Sequence, residues 1–147
     1  MTKRNLLNWF FLFLDTGPHV DHTLGTDEGI YCYVEASYPQ QEGDKTLLIS
    51  DFIPPISNGC LELYYFMYGD SVGQFNIYMN DTINGQKILN NITGQQGFEW
   101  KQLEVSISNQ NEFKLILEGV VSHFKLLLFS IKEEQLNFKY CEDWREL

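Results

Sequence analysis

The sequence predicts an all-β fold, a sandwich or barrel of short strands, on three observations. Apolar residues recur at every second position in segment after segment, the period of a pleated strand and not of a helix. Turn-forming residues interrupt these runs at intervals of roughly 8 to 12 residues. No stretch has the caps and the i, i+3, i+4 spacing of an amphipathic helix. With 147 residues, 44% hydrophobic and 15% aromatic, and no Pro- or Ser-rich linker, residues 1–147 are expected to form one domain around one core.

The elements follow in chain order. Residues 5–14, Asn-Leu-Leu-Asn-Trp-Phe-Phe-Leu-Phe-Leu, come after Lys3 and Arg4 and mimic a secretory signal. The run is shorter than the roughly 20 residues that span a bilayer, and Asp15-Thr16-Gly17-Pro18 offers no small-residue cleavage site. It is read as a truncated or divergent domain start. Gly17-Pro18 turns the chain into the polar Asp21-His22-Thr23, and a strand is expected after Gly29. In that strand Cys32 shares a face with Ile30 and Val34, which places it inward as a small apolar residue; an intermolecular disulfide is the alternative. Cys60 to Gly69 reads as an aromatic-rich buried strand. Phe75, Ile77 and Met79 are expected inward, with Asn76, Tyr78 and Asn80 outward. Residues 75–80 should pair with residues near 86–90 about a type I′ turn at Asn84-Gly85, where both residues tolerate positive φ. Leu103, Val105 and Ile107, and after an Asn-rich turn Phe113, Leu115 and Leu117, give two further strands. Further turns are expected at Gly43-Asp44, Pro54-Pro55 with Ser57-Asn58-Gly59, Gly69-Asp70 and Gly94.

A formal charge of −10, with no cluster of four Lys or Arg, argues against nucleic acid and anionic membrane surfaces as partners. Its plain consequence is solubility. His19, Asp21 and His22 are of types that ligate zinc or pass protons. On extended backbone, however, the two histidines point to opposite faces, and the segment reads as a turn of hydrogen-bonding residues. Glu35, Glu62 and Glu118 form no pair of established separation, and no Gly-x-Ser-x-Gly, P-loop or dinucleotide fingerprint is present. Trp100 and the tyrosines from Tyr64 to Tyr68 are candidates for a sugar platform, though aromatics at strand spacing are more often core. Asn80-Asp81-Thr82 and Asn91-Ile92-Thr93 are glycan acceptor sequons, expected at strand ends or in loops.

Several of these segments, in order, resemble the MAM domain, an extracellular module of meprins, neuropilins and adhesion-type receptor tyrosine phosphatases. They are the stretch from Thr16 to Thr23, the strand after Gly29, the aromatic strand from Cys60, Gly73-Gln74-Phe75-Asn76-Ile77-Tyr78 and Gly97-Phe98-Glu99-Trp100. Phe113 to Gly119, Phe129-Ser130-Ile131 and Cys141 complete the series over residues 15–141. The resemblance implies an antiparallel β-sandwich of jelly-roll type, with Trp9 as a core residue. It also implies a disulfide between Cys60 and Cys141, closing a loop of roughly 80 residues worth on the order of 4–5 kcal/mol in the chain-entropy model. Of the carboxylates with which some members hold a structural cation, Asp21 alone is matched, and Phe129 and Ser130 stand in the Asp-Asp place. That site is expected to be lost or much weakened, and no cofactor is expected. In function the resemblance implies a non-enzymatic recognition or adhesion module, extracellular or at the cell surface within a larger parent. Its partners would be proteins, identical domains included, with no membrane insertion by this chain; a carbohydrate-binding jelly roll is the alternative.

Overall fold

The computed structural model describes residues 18–22, 24–27, 32–34, 39–69, 72–122, 127–130 and 138–140. Trp9 with the apolar run 5–14, Ile30, Glu35, Asp70, Ile131 and Cys141 lie outside them. Among the described residues the secondary structure is all strand: β1 (Tyr33–Val34), β2 (Lys45–Ile49), β3 (Ile56–Phe66), β4 (Gln74–Asp81), β5 (Gly85–Thr93), β6 (Lys101–Asn109), β7 (Phe113–Val120), β8 (Leu127–Ser130) and β9 (Phe138–Tyr140). No helix among them is long and apolar enough to cross a membrane.

The strands form two antiparallel sheets, as the jelly roll requires. One has the order β1-β8-β3-β6, with β9 also on β3, and the other the order β2-β7-β4-β5. The long strand β3 is the spine of the first sheet. Along one edge it pairs with β6, from Gly59↔Ile107 to Tyr65↔Lys101. Along the other it takes β9 at Gly59–Leu61 and β8 at Tyr64–Phe66. The inward residues of both sheets meet in one apolar cluster that includes Leu61, Leu63, Tyr65, Phe75, Ile77, Met79, Val105, Ile107, Phe113, Leu115 and Leu117. Burying Leu61, Ile77 and Phe113 completely removes about 1.5–3 kcal/mol of unfavourable apolar hydration per side chain.

Four details depart from the sequence reading. The aromatic strand begins at Ile56, not Cys60, and ends at Phe66, ahead of Gly69, which takes a φ of 126°. Ser57-Asn58-Gly59 is therefore no turn but part of β3, and the ladder slips between Ile56 and Gly59. A β-bulge uses the same small and polar residues that mark turns. Second, Cys32 is exposed while Val34 is 3% exposed. Strand β1 starts only at Tyr33, so no ladder imposes its alternation on Cys32.

Third, the β4–β5 hairpin pairs as expected, from Gln74↔Thr93 to Asp81↔Gly85, but its loop is Thr82-Ile83-Asn84 and not the two-residue turn. Gly85 supplies the positive φ, 77°. The longer loop is drawn in by the buried Asp81 carboxylate, which accepts from the Ile83 and Asn84 amides at 2.7 and 3.1 Å and from the Asn84 and Asn111 side chains. Fourth, Asn76 lies on the outward face as expected yet is buried, for a reason given below.

Gly73 sits where the chain enters β4. A Cβ there would stand 1.9 Å from the Val120 carbonyl oxygen and 3.0 Å from the Ser122 nitrogen. Gly73→Ala is therefore expected to cost roughly 3 kcal/mol, the upper end for overpacking. At Gly43 (φ 89°) nothing lies within 4 Å of such a Cβ, so Gly43→Ala is expected to cost only about 1–2 kcal/mol of backbone strain; urea denaturation midpoints of the two variants check the order. The Ile83 amide, against the opposing effect of burial and with help from Asn84, holds the Asp81 carboxyl well below the ordinary range. Its stabilisation is complete above the unfolded pKa of about 3.9 and drains away as pH falls toward the folded value. Asp81→Asn should accordingly flatten the acid limb of a stability-versus-pH curve below about pH 4.

Candidate functional site

The sheet built on β3 has one face in the core and one face outward. Alternation along β3 turns Cys60, Glu62 and Tyr64 outward between the buried Leu61, Leu63 and Tyr65. Across the ladder β6 contributes the exposed Gln102, Glu104, Ser106 and Ser108. Register sets Glu62 directly opposite Glu104 and Tyr64 opposite Gln102. Like charges facing each other across a ladder repel. A single amide moderates the contact: Gln102 Nε2 donates to Glu62 Oε1 and to Glu104 Oε1, both at 3.0 Å. The Tyr64 hydroxyl also donates to Glu62 Oε1, at 3.2 Å. Burial, then the Glu62 carboxylate, raise the Tyr64 phenol above its ordinary pKa.

Toward the C-terminal end of β3 the outward face becomes aromatic. Phe66 continues the outward phase but is 2% exposed. Phe98 and Trp100 meet it edge to face, at centroid distances of 5.3 and 5.5 Å, and Tyr68 lies at 6.4 Å. Tyr68 and Phe98 in turn meet at 4.9 Å and 81°. Residues 18–22 lie against this end: Trp100 Nε1–H donates to the Val20 carbonyl at 2.9 Å, and the His22 ring stacks on Tyr64, 3.3 Å away and 14° from parallel. Asp21 is 4% exposed and its carboxylate accepts from the Leu24 amide at 3.0 and 3.1 Å, while its own N–H donates to Thr26 O. The segment is thus a hydrogen-bonded turn, with His19 exposed and His22 engaged with Tyr64. Val20, Leu24, Tyr68 and Phe98 remain 40–58% exposed around it. Among the described residues no three His, Cys, Asp or Glu side chains converge as a metal site would require.

The outward face of the other sheet differs in kind. Glu118, 7% exposed, accepts from Asn76 Nδ2 at 2.8 Å, from the Tyr78 hydroxyl at 3.1 Å and from Lys45 Nζ at 3.1 Å. Asn91 Nδ2 donates to Asn76 Oδ1, and Thr93 Oγ1 donates to Asn91 Oδ1 at 3.2 Å. One polar row therefore crosses β2, β7, β4 and β5, and it explains the burial of Asn76. Burial alone would raise the Glu118 carboxyl, but the Asn76, Lys45 and Tyr78 donors outweigh it and leave the pKa below the usual carboxylate value. Both sequon asparagines stand on this face and are exposed, Asn80 near the end of β4 and Asn91 in the edge strand β5. The sequence reading missed both the Glu62–Glu104 opposition and the Glu118 row. Each joins residues 42 apart in the chain, so neither follows from local alternation.

A family model described as MAM domain, meprin/A5/mu, matches residues 2–142. MAM domain-containing glycosylphosphatidylinositol anchor protein 2 of Rattus norvegicus is 34% identical over 119 residues, which cover 72% of this chain and 12% of that protein. Anchor protein 1 of Homo sapiens is 34% identical over 113 residues, 72% of this chain and 11% of the relative. Thyroid hormone-induced protein B of Xenopus laevis is 33% identical over 108 residues, 71% of this chain and 15% of the relative. The chain thus spans about an eighth of the anchor proteins it matches.

The two faces predict opposite responses to removal of a carboxylate. Glu104→Gln should stabilise the fold by about 0.2–1 kcal/mol, a gain that shrinks in high salt as the repulsion is screened. Glu118→Gln should destabilise it by about 1–3 kcal/mol, because a buried, charge-assisted set of hydrogen bonds is weakened. Urea denaturation at pH 7 in low and high salt measures both.

Proposed function

The chain belongs to the MAM domain family, and on that premise we propose that it is a non-enzymatic extracellular recognition module, carried at or outside the cell surface by a larger parent protein. The observation that carries this reading is the family match over residues 2–142, joined to an outward face that exposes Tyr68 and Phe98 beside paired carboxylates. The names of the matched relatives, anchor proteins attached by glycosylphosphatidylinositol, support the location. Residues 1–147 are read as one domain, and its partners are proteins, a second copy of the chain among those to be tested. Protein is preferred to sugar because Tyr68 and Phe98 meet edge to face at 81°, so the two do not form one flat platform for a pyranose ring.

Two covalent features belong to the proposal. Cys60 pairs with Cys141, as the likeness to the family implies; in support, β9 brings the chain back alongside β3, with Lys139 in register with Cys60. Asn80 and Asn91 carry glycans, being exposed on one face. Secreted protein should yield a Cys60–Cys141 peptide on non-reducing digestion. Asn80→Gln and Asn91→Gln should each remove one step of the mobility shift produced by glycan release. Recognition itself is tested by staining cells with a fluorescent tetramer of the secreted chain. Staining that trypsin treatment of the cells abolishes and glycosidase treatment spares is the expected result. The reverse pattern would favour the sugar-binding alternative, and failure both to stain cells and to aggregate coated beads would remove the reading.

A further inference from the structure

The two outward faces of the sandwich are unequal, and the inequality points to where a partner docks. The sequence holds two sequons, and both asparagines stand on the outward face of the β2-β7-β4-β5 sheet. Glycans there would cover that face, whereas the outward side of β3 and β6 carries no sequon. On this bare side the exposed apolar residues Val20, Leu24, Tyr68 and Phe98 lie at one end, and Glu62 and Glu104 stand in direct opposition beside them. Lys101 is tied to Glu99 at 2.9 Å, and Lys139 stands in register with Cys60, so neither is the register partner of Glu62 or Glu104. An arrangement that weakens the folded chain, held at an exposed site beside exposed aromatics, is what a recognition surface retains when a partner relieves it.

From this, and resting on the reading of the chain as a protein-recognition module, we infer that the outward face of β3 and β6 docks a basic, apolar-flanked segment of a partner protein. A guanidinium or ammonium group enters between Glu62 and Glu104, and neighbouring apolar side chains rest on Phe98 and Tyr68. The charge fits. Two carboxylates that share one amide donor have acceptor capacity left for a planar cation. The net charge of −10 adds long-range attraction for a basic partner and opposes a second copy of this chain on the same face.

The test uses the secreted, glycosylated chain and two synthetic dodecapeptides, one of arginines and leucines and one with glutamates in place of the arginines. The basic peptide should bind at least about tenfold more tightly at physiological salt, shifting backbone amide signals of residues 60–64 and 102–106. Glu62→Gln with Glu104→Gln should weaken it about tenfold, and Phe98→Ala about fivefold. Glu42→Gln with Glu112→Gln, an equal change of charge at exposed positions elsewhere, should leave it within about twofold. Equal losses in both charge pairs, or amide shifts confined to the other sheet, would overturn the inference. So would a dimer that only the Glu62/Glu104 variant dissolves, which would make the face a contact between copies. Since the cell-staining assay does not depend on these peptides, staining that persists while the peptide ignores Glu62 and Glu104 overturns this inference alone.

Discussion

The structure depends on the strict two-residue period of β3. Because its side chains alternate, one register simultaneously places Leu61, Leu63 and Tyr65 in the core and Glu62 and Tyr64 on the outside. A slip of one residue would bury a carboxylate and expose a leucine at the same stroke. The strand is held from both sides, by β6 along its length and by β8 and β9 at its two ends. The outward face is therefore a consequence of the core, since the apolar cluster fixes which residues of β3 are turned outward.

The two sheets use their outer faces differently, and the difference is electrostatic. On the β2-β7-β4-β5 sheet a buried glutamate has three donors from the two neighbouring strands, and its charge stabilises the fold. On the β3–β6 face two glutamates oppose each other and share a glutamine amide. The first arrangement is a structural strut. In the second, like charges face each other on the outward surface, and the aromatic group around Phe66 lies toward the same end of β3.

Much of the fold was legible because alternation is a local property. The inward sets of β6 and β7 follow from residues two apart, and the β4–β5 pairing follows from the same alternation on either side of one local turn. What was not legible depends on contacts distant in sequence. The short polar connection after Asn109 joins strands of different sheets, while the equally short Thr82-Ile83-Asn84 closes a hairpin within one. Ser57-Asn58-Gly59 looks like a turn because small residues serve bulges as well. Asn76 reads as outward and hydrated until Glu118 is brought beside it. Of the candidate site, Trp100, Tyr64 and Tyr68 were picked out by type. Their grouping with Phe98, Val20 and His22, and the opposition of Glu62 to Glu104, required the folded register.

Cross-strand nuclear Overhauser contacts of β3 test the account most directly. The register predicts main-chain contacts from Leu61 to Val105 and from Leu63 to Leu103 along one edge, and from Gly59 to Tyr140 and Tyr65 to Phe129 along the other. A pattern displaced by one residue on either edge would contradict it, because the core and the outward face could not then both be as described.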